Sequence, residues 1–132
     1  MSGPNHEIVR SFISAMSDGN ITGDLVTDDF AVWIVGTGIA DRESFCSGMA
    51  LLPKAFPAKL PFTIHSLTAE EDRVVAHFSA EGTLANGQVY RNDYLYLFRI
   101  RDGKICYLHE FLNLDEMRGT LMPAMMEVSK QG

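Results

Sequence analysis

Between Tyr90 and Glu116 the chain reads YRNDYLYLFRIRDGKICYLHEFLNLDE, and within it Glu110 is the carboxylate whose surroundings call for an explanation. Leu108 and Leu112 stand two residues to either side, so on a strand all three share one face. A carboxylate there must be paired, solvated or used, because loss of hydration penalises its charged form. Desolvation lifts its pKa above the roughly 4.3 of a free glutamate, toward the range where it can take or give a proton at neutral pH. Tyr94 and Tyr96 precede it on a neighbouring strand, and their hydroxyls can donate to a carbonyl or ether oxygen as charge develops on it. The structural alternative is a Glu110 that accepts a hydrogen bond to fix the sheet, and a tyrosine ladder that only packs.

Other residues fall into place around that group. His77, with an ordinary pKa of roughly 6.5, could shuttle a proton or orient a substrate, or be a satisfied structural histidine. Ser79 and Asn92 could orient a ligand by hydrogen bonding, and Phe12, Val32, Trp33, Ile34, Leu108 and Leu112 would supply its apolar wall or the adjoining core. No Ser-His-Asp or Cys-His set is assembled, so a covalent route is not indicated. His6, His65, His77 and His109 lack the spacing of metal ligands.

The face on which each residue lies depends on two turns. Asn86-Gly87 suits a two-residue type I′ hairpin, which would set His77 opposite Tyr96, Ser79 opposite Tyr94 and Glu81 opposite Asn92. Val74, Ala76, Phe78 and Ala80 would then share the other face with Leu95 and Leu97. A two-residue Asp102-Gly103 turn would put Tyr96 opposite His109, whereas a three-residue Arg101-Asp102-Gly103 loop would put Tyr94 opposite Glu110. A slip of one residue exchanges the faces, and the Asp-then-Gly order favours the three-residue loop.

The elements that must hold these groups follow from periodicity. Ile8, Val9, Phe12, Ile13 and Met16 mark one face of a helix over 5–17, stopped at Asp18-Gly19-Asn20. A short second helix is expected over Ile21 to Val26, then a buried strand from Phe30 to Val35. Asp41 reads as the N-cap of a third helix carrying Phe45, Met49 and Leu52 and ended by Pro53. Pro53, Pro57 and Pro61 punctuate a linker, after which four β-rich runs (62–68, 73–84, 89–100 and 104–113) form an antiparallel meander. Helices before strands is an α+β layout. The tail over 114–132 is rich in Met and interrupted by Pro123, so it reads as an apolar segment on the core or a neighbouring subunit, or as a flap over a site.

With 132 residues the chain is expected to form one domain over 1–132, with its core at about 5–121. A net charge of −6 argues against nucleic acid and anionic membranes as partners, and no span long enough to cross a bilayer is present. The opening MSGPNHE has no charged stretch ahead of an apolar one, so a soluble cytoplasmic protein is expected. Cys46 and Cys106, isolated in a reducing compartment, read as small buried hydrophobes.

The order helix, helix, strand, helix, meander, together with the segments IVRSFISAMSDGN, VTDDFAVWIVG and DGKICYLHEFLNLDE, resembles the nuclear transport factor 2-like superfamily. More narrowly it resembles the SnoaL-like group, related to polyketide cyclases, ketosteroid isomerase and limonene-1,2-epoxide hydrolase. That resemblance implies a cone-shaped barrel of strongly curved, mostly antiparallel sheet wrapped around three N-terminal helices, with the catalytic groups on the inner face. It turns His77 and Ser79 inward, at the epoxide hydrolase's Arg and first Asp positions, with Glu110 at the second Asp position. The isomerase's Tyr and Asp correspond to Phe12 and Ile34, so its steroid chemistry is not expected. No cofactor is implied.

The function this supports is proton-transfer catalysis, as an isomerase, lyase or cyclase, on a small hydrophobic oxygenated ligand. Glu110 would move the proton, with Tyr94, Tyr96 or His77 holding the oxyanion. The alternatives are a non-catalytic ligand-binding or dimerisation module and an epoxide hydrolase-like enzyme. A homodimer is expected through the outer sheet face bearing Leu95, Leu97, His109 and Phe111.

Overall fold

The computed structural model describes residues 3–131. The first helix, α1 (Pro4–Asp18), has Pro4 in its opening turn, where a missing N–H costs nothing, and it buries Val9, Phe12, Ile13 and Met16 along one stripe. Two strands follow, β1 (Val26–Ile34) and β2 (Gly38–Asp41), then α2 (Arg42–Met49) and one helical turn, α3 (Leu52–Ala55). The meander consists of β3 (Phe62–Glu70), β4 (Arg73–Thr83), β5 (Val89–Arg101) and β6 (Lys104–Leu112). The chain closes with α4 (Leu114–Glu116), a π-helical stretch (Met117–Leu121) and α5 (Met122–Gln131).

The six strands form one mixed sheet in the order β2-β1-β6-β5-β4-β3, in which β1 runs parallel to β6 and every other pair is antiparallel. The α+β layout and the meander are as the sequence indicates. The barrel is not: β2 and β3 are free edges, so the sheet stays open. Phe12 carries the contact between α1 and the sheet, with its ring 5.4 Å from Phe98, 6.1 Å from Phe30 and 6.2 Å from Phe45. Such aromatic clusters add specific edge-to-face contacts to plain burial.

Three helix expectations are corrected. Ile21 to Val26 is no helix: Leu25 donates back to Thr22 in a turn, and Val26 already pairs with Ile105. Ile21, Thr22 and Val26 are β-branched and Gly23 is flexible, so six residues offer too little to nucleate a helix. Asp41 does cap α2, accepting from the Ser44 N–H at 2.9 Å, but α2 stops at Met49, and Pro53 opens α3 rather than ending the preceding helix. Pro123 does not break the tail, which is helical throughout as far as it is described, to Gln131. The residue four before Pro123, Gly119, lies in the π-helical stretch, where the wider turn relieves the clash a proline ring makes with that carbonyl.

Register decides the rest. The first hairpin closes through a three-residue loop, Ala85-Asn86-Gly87, with Leu84 and Gln88 paired at 2.8 Å and Gly87 at φ +91°, not through the two-residue turn expected. Every pair shifts by one: His77 faces Leu95, Ser79 faces Asp93 and Glu81 faces Arg91. The second hairpin is also corrected. Asp102 (φ +54°) and Gly103 (φ +76°) make a two-residue turn, and a bulge between Arg99 and Ile100 leaves Cys106 unpaired on β6. Turn and bulge together set Glu110 opposite Tyr96 and Leu112 opposite Tyr94. Among the described residues no helix is long and apolar enough to cross a membrane.

Candidate functional site

Strand alternation now sorts the candidates. Tyr90, Asn92, Tyr94, Tyr96 and Phe98 on β5 are all buried and share a face with Val74, Ala76, Phe78 and Ala80 on β4. Ile34 on β1 and Glu110 on β6 pair with each other. Tyr94, Tyr96 and Glu110 therefore meet, with Ile34 and Leu112, on the wall of a cavity of about 310 Å³. This lies at the lower end of the roughly 300–1,000 Å³ typical of small-molecule sites. The far wall comes from α2 and from the tail, whose Met117, Leu121, Met122 and Met125 all line it. The tail therefore packs on the core through Leu121, Ala124, Met125 and Val128 and borders the cavity as well, with unbranched Met side chains on that side.

Several expected site residues lie elsewhere. His77 and Ser79 are on the opposite face of the sheet, where His65 Nε2 and Ser79 Oγ are 2.8 Å apart and the His65 and His77 rings are 4.8 Å apart. The extra residue in the first hairpin loop turned them outward, so the arrangement carried over from the epoxide hydrolase does not assemble. Trp33 is also on that outer face, 5.6 Å from His109 and 5.4 Å from Phe111. Phe12, Val32 and Leu108 are core residues behind the cavity rather than part of its lining. Asn92, only 2 % exposed, does not line the cavity and hydrogen-bonds Tyr90 and the Asn113 backbone instead. Cys46 and Cys106 are unbridged and half-buried rather than fully buried. Among the described residues no three His, Cys, Asp or Glu side chains could hold a metal ion together.

Glu110 is 7 % exposed, and burial pushes its carboxyl up to about 7, against a smaller downward pull from hydrogen bonding with Tyr96. Near neutral pH it therefore exists in both forms, as a general acid–base group requires. The tyrosines are raised as well: burial first, then Tyr90 for Tyr94 and Glu110 for Tyr96, lifts both well above the usual phenol range. Both stay protonated, and Tyr96 spends its hydrogen on Glu110. Tyr90, which the sequence reasoning passed over, lies 2.6 Å from Tyr94 through its hydroxyl and accepts from the Asn92 amide at 2.8 Å. Its signal was in the sequence all the same, since positions 90, 92, 94 and 96 keep one strand periodicity.

A separate surface depression of about 560 Å³ is bordered by Asp28, Asp29, Asp41, Glu43 and Cys46. It holds no comparable chemistry. Asp28 pairs with Arg42, Asp29 with Arg101, and Asp41 is spent as the cap of α2.

Compared with known families, residues 9–108 match the SnoaL-like domain. Among solved structures, a proposed isomerase from Bacillus subtilis superposes with a TM-score of 0.75 at 18% identity, covering 89% of this chain and 92% of its own. IdmH, a proposed polyketide cyclase from Streptomyces antibioticus, gives 0.74 at 19%, with 89% and 97% covered. A proposed SnoaL-like polyketide cyclase from a Jannaschia species gives 0.72 at 20%, with 92% and 91% covered. At these identities the structural likeness speaks for the fold. No curated protein matches in sequence.

Proposed function

Because the chain belongs to the SnoaL-like domain family, we propose that it is an acid–base enzyme that moves a proton on a small apolar substrate bearing a carbonyl oxygen. The observation that carries this is Glu110: a carboxyl in an apolar cavity wall, pushed to about 7 by burial, beside two protonated phenols. As carboxylate, Glu110 takes a proton from the carbon next to the carbonyl. The C–H electron pair becomes the new C=C bond and the carbonyl π pair moves onto the oxygen, where the Tyr94 hydroxyl stabilises the charge while Tyr96 hydrogen-bonds Glu110. Where the substrate carries a C=C bond next to the deprotonated carbon, the enolate is a dienolate, and the now neutral Glu110 returns its proton to the far end of the conjugated system, so that the double bond moves and isomerisation results. Alternatively, the enolate carbon attacks a second carbonyl of the same molecule and the proton quenches the alkoxide, giving ring closure. The isomerase and cyclase descriptions of the structural relatives are compatible with both outcomes.

The test does not require the natural substrate. A panel of cyclic and aromatic ketones in D2O is followed by NMR for deuterium entering the carbon next to the carbonyl. Protein-dependent exchange is expected, rising with pH through about 7 and falling by about 100-fold or more in a folded Glu110→Gln variant. A pocket that only binds would take up the ketones with no exchange above solvent, and equal exchange in the Gln variant would remove Glu110 from the mechanism.

A further inference from the structure

We propose that Tyr90 and Asn92, neither of which lines the cavity, act as positioning residues that aim the Tyr94 hydroxyl proton at a ligand's oxygen. The proposal rests on reading the cavity as the substrate site. Its polarity begins at a backbone group that can only donate: the Asn113 N–H, 2.9 Å from Asn92 Oδ1. That contact fixes which end of the Asn92 amide is oxygen, so its nitrogen faces the other way. Asn92 Nδ2 then donates both to the Asn113 carbonyl at 3.0 Å and to Tyr90 Oη at 2.8 Å.

Tyr90 Oη thus receives a hydrogen and must place its own. The ring is fully buried, and among the described residues its only other hydrogen-bond partner is Tyr94 Oη at 2.6 Å. Were Tyr94 the donor, the Tyr90 proton would be left without an acceptor, at a cost of roughly 1–3 kcal/mol. Tyr90 therefore donates to Tyr94. The Tyr94 oxygen accepts, and its own proton is left for the cavity whose wall it forms. Each link in such a chain polarises the next, so Tyr94 is a better donor than an isolated phenol. Asn113 also caps α4, accepting from the Asp115 and Glu116 N–H groups at 3.0 and 3.3 Å, so the relay starts where the segment covering the cavity starts.

The experiment compares two probes of similar shape, 1-tetralone and tetralin, which differ in the carbonyl oxygen. Their affinity ratio reads the donated hydrogen bond, and the carbonyl stretch of bound tetralone reads its strength. Tyr94→Phe should lower the preference for tetralone about fivefold, the size of one hydrogen bond. Tyr90→Phe should lower it about two- to fivefold, leave tetralin affinity unchanged, raise the carbonyl stretch, and have no effect in the Tyr94→Phe background. An unchanged preference in Tyr90→Phe, equal losses for both probes, or a further loss in the double variant would overturn the relay. Probe binding requires no turnover, so the relay and the proton transfer by Glu110 fail independently: lost exchange in Glu110→Gln alongside an unchanged tetralone preference in Tyr90→Phe sinks only the relay.

Discussion

Replacing Glu110 with Gln should favour the folded protein by an amount that grows as pH rises from about 4.5 through about 7 and levels off above that. A buried carboxyl with its pKa raised from 4.5 to about 7 binds its proton more tightly in the folded chain than in the unfolded one. Between those two values the native state holds more protons, so stability falls as pH rises through the window. The linkage integral puts the loss at about 1 kcal/mol by pH 5 and at about 3 kcal/mol by pH 8. Gln is nearly isosteric and does not titrate. The difference between the two proteins should therefore change by roughly 2.5 kcal/mol from pH 5 to pH 8, in favour of Gln, while every other group cancels. The carboxyls held low by ion pairs or caps, Asp29, Asp41 and Glu81, act at more acidic pH and occur in both proteins. With a urea dependence of about 2 kcal/mol per M, the midpoint difference should shift by about 1.2 M across that range. Urea unfolding at several pH values decides the matter. Parallel pH profiles for the two proteins would mean that Glu110 is not desolvated as described, and the acid–base reading would fall with it.

Two further outcomes are expected. A second copy of the chain should cover the outer sheet face, where Leu95 and Phe111 are exposed beside Trp33 and His109; sedimentation should give the mass of two chains for the wild type and one for Phe111→Glu, and a wild type that sediments as a single chain would refute it. Gly103→Val forces a β-branched residue into φ +76° and should cost about 1–2 kcal/mol, lowering the melting temperature by roughly 5 °C; no change would mean the turn is not held in that form.

The helix face of α1, the Asp41 cap and the four strands of the meander were legible because each is written locally, in periodicity or in a capping residue. The tyrosines and Glu110 could be singled out for the same reason: an expensive group on an apolar strand stands out whatever its neighbours are. What was not legible is parity. Asn86-Gly87 fits both a two-residue turn and the last two positions of a three-residue loop, and only the second sends His77 and Ser79 outward. The resemblance pointed the same pair inward, and loop length overruled it.

The second hairpin makes the stronger case, because there two wrong steps would cancel and one would not. A two-residue Asp102-Gly103 turn running into a regular ladder sets His109 opposite Tyr96 and sends Glu110 to the outer face. Leaving Cys106 unpaired shifts the ladder by one residue and reverses that outcome. Burial along β6 records the step: Ile105 and Leu108 are buried three positions apart, where an unbroken strand would give two or four, and Glu110 follows at the regular interval. The carboxyl reaches the cavity because of a bulge just beyond the turn, in a place where neither turn chemistry nor hydrophobic pattern announces it. Bulges re-aim side chains at functional sites, and here the re-aimed side chain is the one with the shifted pKa. It is the unpairing of Cys106, not the length of β6, that sets this outcome: deleting Cys106 should leave Arg99 opposite Tyr107 and Glu110 opposite Tyr96, whereas a chain of the same length that paired Cys106 in a regular ladder should present His109, not Glu110, to Tyr96.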